Sequence, residues 1–155
     1  MVTTLIVTHG RMAQELLDAA QMIVGEMPRF VAVSLDWDDS VEEVTEKTRR
    51  ALETVDPADE VLILTDMYGG TPFNVAAGFF QPGQVEVVTG VNLPMVVRLG
   101  CPRSKEMTLA KLADWIQEKS RASICRAGEG QPANDTLKGA PQTQTTAEAK
   151  DGAGD

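Results

Sequence analysis

Four short apolar runs recur along the chain, each followed by a polar loop and then by a stretch with helical spacing. The first, Thr4-Leu5-Ile6-Val7, is continuous rather than alternating, the pattern of a strand buried on both faces. A helix is predicted from Arg11 to Val24, where Met12, Ala13, Leu16, Leu17, Ala20, Ile23 and Val24 form one apolar stripe. Gly25 stands where a C-terminal cap belongs. Phe30-Val31-Ala32-Val33, Glu60-Val61-Leu62-Ile63-Leu64 and Val85-Glu86-Val87-Val88 are the next three strands. Ser40 opens a second helix, with Glu43 three residues on as a capping box. Thr71-Pro72 predicts a third helix, with the threonine as cap and proline at the first helical position. Further helices are expected from near Pro94 and from about Leu109 to Lys119, and Ala122–Cys125 as a short last strand.

This alternation predicts an α/β domain over residues 1–126, doubly wound around a mainly parallel five-stranded sheet of flavodoxin-like order 2-1-3-4-5. In such a sheet the loops leaving the carboxyl ends of the strands form the functional edge. Those loops are Thr8-His9-Gly10, Asp36-Trp37-Asp38-Asp39, Thr65 to Thr71, and Thr89-Gly90-Val91-Asn92-Leu93. Under that order the first and third strands are neighbours, which sets His9 across one crevice from the loop that begins at Asp66.

Composition changes the picture mainly after Arg126. Residues 127–155 are Gly, Ala, Gln, Thr and Pro with scattered charges, and Leu137 is their only large aliphatic residue. Such a stretch buries too little apolar surface to offset its ordering entropy, so a disordered, acidic, low-complexity tail is expected. The tail carries only part of the net charge of −9. An acidic domain repels nucleic acid and anionic membranes and suits a basic protein partner. No apolar run is long enough to span a membrane and the start lacks a signal peptide's basic region, so a soluble cytoplasmic protein is expected. Cys101 and Cys125 lack metal-ligand spacing, and with a single histidine in the chain no metal site is expected.

Any histidine chemistry must use His9, which lies between a buried strand and a glycine. A neutral imidazole has one nitrogen lone pair able to attack phosphorus, and the phosphoramidate formed can hand the group onward. Asp66 can hold the other ring nitrogen and fix the tautomer, or it can simply cap its own turn. Gly69 and Gly70 let backbone approach a ligand, and the helix start at Thr71 combines N–H groups with a hydroxyl for a phosphoryl oxygen. Asn92 either braces the site or caps the helix that follows. Trp37 is either an exposed partner contact or a loop residue folded back, and Trp115 is a packing or interface residue. Arg11 either meets a phosphate or is an exposed first-turn residue.

The segments Ile6-Val7-Thr8-His9-Gly10, Asp66-Met67-Tyr68-Gly69-Gly70-Thr71-Pro72-Phe73-Asn74 and Gly90-Val91-Asn92-Leu93-Pro94-Met95 resemble the mannose-type enzyme IIA family of the bacterial sugar phosphotransferase system. The resemblance covers about residues 1–125. It implies that His9 is the phosphorylated histidine, Asp66 its acidic partner and Thr71 the family's serine-or-threonine position at the phosphate pocket. It implies a phosphoryl group taken from phosphorylated HPr and given to a histidine of a IIB protein, with no cofactor. It also implies a homodimer to which the last strand contributes, and that short strand is expected to pair antiparallel at the dimer interface. Two features depart from the commonest pattern: the Gln/Thr/Ala-rich tail in place of a linker and fused IIB domain, and Arg11 where bulky apolar residues are usual.

Three other readings share the same residues. One is a regulator whose phosphorylation state is sensed, and another is the phosphocarrier subunit of a dihydroxyacetone kinase, against which Gly69-Gly70-Thr71-Pro72 and Asn92-Leu93-Pro94 weigh. The third is a non-enzymatic module that binds a small anion with His9 as a hydrogen-bonding residue. A flavin binder fits worse, because the first loop lacks a Ser/Thr-rich phosphate cradle.

Overall fold

The computed structural model describes residues 1–101 and 107–126. Its compact unit, Met1–Ile124, runs β1 (Val2–His9), α1 (Met12–Val24), β2 (Phe30–Leu35), α2 (Val41–Glu53), β3 (Glu60–Thr65), α3 (Thr71–Ala77), β4 (Val85–Thr89), α4 (Leu93–Gly100) and α5 (Leu109–Arg121). A second unit begins at Cys125, and the stretch expected to be a disordered tail lies outside the described residues.

The four strands form one sheet in the order β2-β1-β3-β4, with every neighbouring pair parallel. The central strands carry apolar side chains on both faces, so alternate residues feed two cores. Ile6, Leu62 and Leu64 pack with Met95, Val96, Leu112 and Ile116 from α4 and α5. Leu5, Val7 and Ile63 face the other way, toward Val44 of α2 and Val75 and Ala76 of α3. Helices on both faces leave only the sheet's two ends for polar chemistry.

The expected fifth strand is absent: the described sheet has four strands, and Ala122–Cys125 is not one of them. The helix end uses this segment instead. Ala122 continues the right-handed conformation as the cap of α5, while the Ser123 and Ile124 N–H groups donate back to the Ser120 and Arg121 carbonyls. Ile124 is left 82% exposed.

Helix starts behave as anticipated at Ser40 and differ at Thr71. Ser40 Oγ accepts from Glu43 N at 3.2 Å and Glu43 Oε2 accepts from Ser40 N at 2.8 Å, a complete capping box. At α3 the cap is Gly70 rather than Thr71, so Thr71 is the first helical residue. Its hydroxyl is therefore released from capping, and among the described residues it makes no hydrogen bond.

At the amino end of the sheet, Asp59 ties the strands together. It accepts from Thr3 Oγ1 at 3.0 Å and pairs with Arg29 and, at 3.3 Å, with the Met1 ammonium. Partial burial works against its charge, but these hydrogen bonds and cations outweigh it and hold the carboxyl below the usual carboxylate range. A depressed carboxyl stabilises the fold above its unfolded-state value and loses that contribution as pH falls through its folded value. In Asp59→Asn the thermal midpoint, followed by circular dichroism, should start lower at neutral pH. It should then fall less steeply than wild type as the pH drops below about 4.

Candidate active site

His9 ends β1 and Asp66 immediately follows β3, and because these strands are parallel neighbours the two residues emerge side by side. A single carboxylate oxygen, Asp66 Oδ2, accepts both the His9 backbone N–H at 2.9 Å and the ring Nδ1–H at 2.7 Å. The other oxygen, Oδ1, accepts from Met67 N at 2.9 Å. Asp66 thus does both things its position suggested, orienting the histidine and capping its own turn. An ionised carboxylate can only accept, so Nδ1 carries the proton and the neutral ring presents its lone pair at Nε2. The His9 side chain is 28% exposed, which leaves the ring reachable.

The two glycines serve different needs. Gly69 adopts φ +77°, the left-handed region open to glycine, and Asn74 Nδ2 donates to its carbonyl at 3.2 Å. Gly70 has ordinary extended backbone, but a Cβ there would lie 3.1 Å from His9 Cε1 and 3.0 Å from Met67 Cγ. Its missing side chain is what lets the start of α3 close against the imidazole. Thr71, with its free hydroxyl, follows at that same helix start.

Other candidates sort clearly. Asn92 Oδ1 accepts from Met95 N at 3.0 Å and its amide donates to the Gly90 carbonyl at 3.4 Å, so its side chain caps α4 and makes no hydrogen bond to His9 or Asp66. Arg11 is exposed and pairs with Glu15 one turn on. Trp115 is half-buried against the core, the packing role. Trp37 folds back onto the site itself: its indole stacks on the His9 ring, with centroids 5.5 Å apart and planes 16° from parallel.

One residue, Thr8, and one contact, that of Trp37 with His9, were not singled out from the sequence. Thr8 is fully buried and its Oγ1 accepts from Ala13 N at 2.7 Å, so the strand residue before His9 caps α1. A signal existed: neither Gly10 nor Arg11 has a side chain suited to capping, so the cap had to come from further back. The Trp37–His9 stack left no such signal: a Cβ at Gly10 would make only ordinary contact with the indole, at 3.5 Å. Among the described residues no cluster of His, Cys, Asp or Glu could hold a metal ion, and no helix is long and apolar enough to cross a membrane.

An open parallel α/β sheet with a carboxylate-held histidine at its carboxyl edge defines the class of this domain. The family model described as the fructose IIA component of the phosphotransferase system, EIIA-man, matches residues 3–117. The chain is 34% identical over 125 residues to the fructose-specific EIIA component of Bacillus subtilis (strain 168), covering 80% of this chain and 85% of that relative. It is 31% identical over 124 residues to the mannose-specific EIIAB component of Escherichia coli (strain K12), covering 79% of this chain but only 38% of that longer protein. Among solved structures, the mannose/sorbose specific IIA subunit from Enterococcus faecalis aligns with TM-score 0.72 at 29% identity, over 84% of this chain and 97% of that one. The chain belongs to the mannose-type enzyme IIA family of the sugar phosphotransferase system, a family of phosphotransfer proteins.

The Asp66 clasp makes a prediction about the ring alone. Long-range nitrogen–proton NMR of the neutral protein should show one His9 tautomer, with the proton on Nδ1. In Asp66→Ala that tautomer should give way to a mixture in which Nε2–H is abundant, while the α/β fold persists by circular dichroism.

Proposed function

We propose that this protein is a phosphocarrier that takes a phosphoryl group from phosphorylated HPr on His9 Nε2 and passes it to a histidine of a IIB component. The observation that carries this reading is the double hydrogen bond from His9 to one oxygen of Asp66, which leaves Nε2 as the reactive nitrogen. In the first step the lone pair of His9 Nε2 forms a bond to phosphorus as the donor's P–N bond breaks, and that bond's electron pair returns to the donor ring. The Nδ1 proton stays on His9, hydrogen-bonded to Asp66, and the same events run toward the IIB histidine in the second step. Catalysis is then mostly positioning and charge stabilisation. Gly70 supplies the space beside the ring, and Gly69 shapes the turn that brings in α3. The Thr71 hydroxyl and the first N–H groups of α3 receive the phosphoryl oxygens. Asn92 supports the site only indirectly, by fixing the start of α4.

Exposed apolar side chains on the same sheet edge favour a protein partner over a small anion. Trp37, Met67 and Tyr68 stand exposed on the loops that carry the site, and Met12 and Val41 on the adjacent helix starts. Such a patch around a reactive group suits docking of a protein. Family membership supports a cytoplasmic homodimer in which residues 1–126 are the phosphotransfer domain. Relatives named for fructose, mannose and sorbose all match this chain in sequence, which supports sugar choice by other subunits.

Incubation with Enzyme I, HPr and labelled phosphoenolpyruvate tests the reading. One acid-labile, base-stable phosphate should appear on wild type and none on His9→Ala. Asp66→Ala should slow labelling by at least about 100-fold, the order of loss expected when a carboxylate that fixes a histidine tautomer is removed. Label that survives in His9→Ala, or a wild type that takes none, would sink the proposal. A labelled protein that no IIB component discharges would favour the regulatory role instead.

A further inference from the structure

Tryptophan normally buries its large apolar face, yet Trp37 is 83% exposed and has no place in either core. Its aromatic contact is instead an offset stack on the His9 ring. Among the described residues this is the sole aromatic partner of each ring. The loop beneath it is built to hold that pose. Asp36 N donates to Asp39 Oδ2 at 2.7 Å and Asp39 N to the Asp36 carbonyl at 3.2 Å, closing a turn with Trp37 inside it. Lys47, from α2, bridges Asp36 at 3.0 Å and Asp39 at 2.6 Å and pins the turn from below. Gly10, the residue after His9, donates its N–H to the Leu35 carbonyl at 2.8 Å and so holds the ends of β1 and β2 together under the stack.

We propose that Trp37 is a positioning residue for the transfer reaction, holding the imidazole by its face and favouring the ring as it gains positive charge, with Lys47 as the latch that keeps it there. The inference rests on the phosphocarrier reading above and adds to it the group that acts on the face of the ring. Asp66 grips the imidazole at its Nδ1 edge and Gly70 lies against Cε1, while the stack bears on the face of the ring and so helps to fix the direction of Nε2. Chemistry adds the second effect. When Nε2 forms its bond to phosphorus and the donor's P–N electron pair leaves with the donor, His9 keeps its Nδ1 proton and its ring becomes cationic. The negative face of an indole attracts such a ring without adding net charge. Of the other charged groups on these loops and helix starts, Lys47 pairs with Asp36 and Asp39 and Arg11 with Glu15, while Asp38 is an exposed carboxylate beside Trp37.

The test uses the full chain carrying Trp115→Phe, so that Trp37 is its only tryptophan, with catalytic amounts of Enzyme I and HPr, whose own emission is subtracted, and phosphoenolpyruvate as the phosphorylating system. Phosphorylation should change Trp37 emission, and Lys47→Met should weaken that response by loosening the turn. At equilibrium with phosphorylated HPr, Trp37→Leu should shift the phosphorylated ratio down roughly two- to five-fold, the size of an exposed cation–π contact. Trp37→Phe should recover most of it. In unphosphorylated protein the ring-current shifts of the His9 carbon-bound protons should disappear in Trp37→Leu. Equal phosphorylation of wild type and Trp37→Leu in both rate and equilibrium, or no rescue by phenylalanine, would overturn the inference and leave the phosphocarrier reading intact. A wild type that takes no label would overturn both.

Discussion

One oxygen of Asp66 accepts two hydrogen bonds from a single residue, the backbone and the ring of His9, and the rest of the site is arranged around that fact. The arrangement needs β1 and β3 to be parallel neighbours in one register. Val7 lies opposite Thr65, the last residue of β3, so Asp66 comes out beside the last two residues of β1 and can reach His9. An antiparallel pairing would send these ends to opposite edges of the sheet. The charge-assisted bond to the ring also fixes which nitrogen is chemically available, so topology dictates reactivity through one carboxylate. Both cores contribute to this at a distance. Leu5, Val7 and Ile63 on one face and Ile6, Leu62 and Leu64 on the other make the two central strands the most buried part of the molecule.

Around the clasp, each remaining contact restricts the imidazole from a different side. Gly70 lets backbone close on Cε1 where any side chain would collide. Thr8 anchors the start of α1 from the strand residue directly before His9, so the loop between them is only Gly10 and Arg11. Gly10 adopts φ +56°, which turns the chain sharply enough to achieve this. The histidine is therefore fixed in backbone and ring while remaining partly exposed, the combination a docking partner requires.

Much of this was legible before any coordinates. Periodicity located α1, α2 and the four strands, because strands buried on both faces write continuous apolar runs and helices write a stripe, while Thr71-Pro72 and Pro94 marked the starts of α3 and α4. The loops at the carboxyl ends then gathered His9, Asp66 and the glycine pair by topology alone. What sequence could not separate were choices between two local uses of one side chain. Asn92 had a helix start beside it and took the cap. At Thr71 the same competition went the other way, because Gly70 already had the extended conformation a cap needs, and the hydroxyl came free. The last strand failed for a related reason: the helix of Leu109–Arg121 runs on into its own terminating turn, and Ile124, within the span expected to be a strand, sits exposed beyond it. The Trp37–His9 contact was the least visible, since it joins two loops through side-chain orientation, which no periodicity encodes.

The choice of an aromatic face beside His9 also follows from the charge of the whole chain. At −9 the protein already opposes an incoming phosphoryl group, and a second carboxylate on the imidazole would stabilise the cationic ring only by strengthening that repulsion. A neighbouring lysine or arginine would attract the phosphoryl group but disfavour the cationic ring. An indole avoids both conflicts, because its quadrupole attracts a cation while its net charge is zero. Lys47 fits the same logic. Its ammonium is held by Asp36 and Asp39, whose hydrogen bonds raise its affinity for the proton, so its charge is engaged in the turn. A carrier must release what it accepts. Under the proposed carrier role, a ring held by one carboxylate and one neutral face, with hydroxyl and backbone donors for the phosphoryl oxygens, would stabilise the phosphorylated state without a resident cation to resist passing the group on.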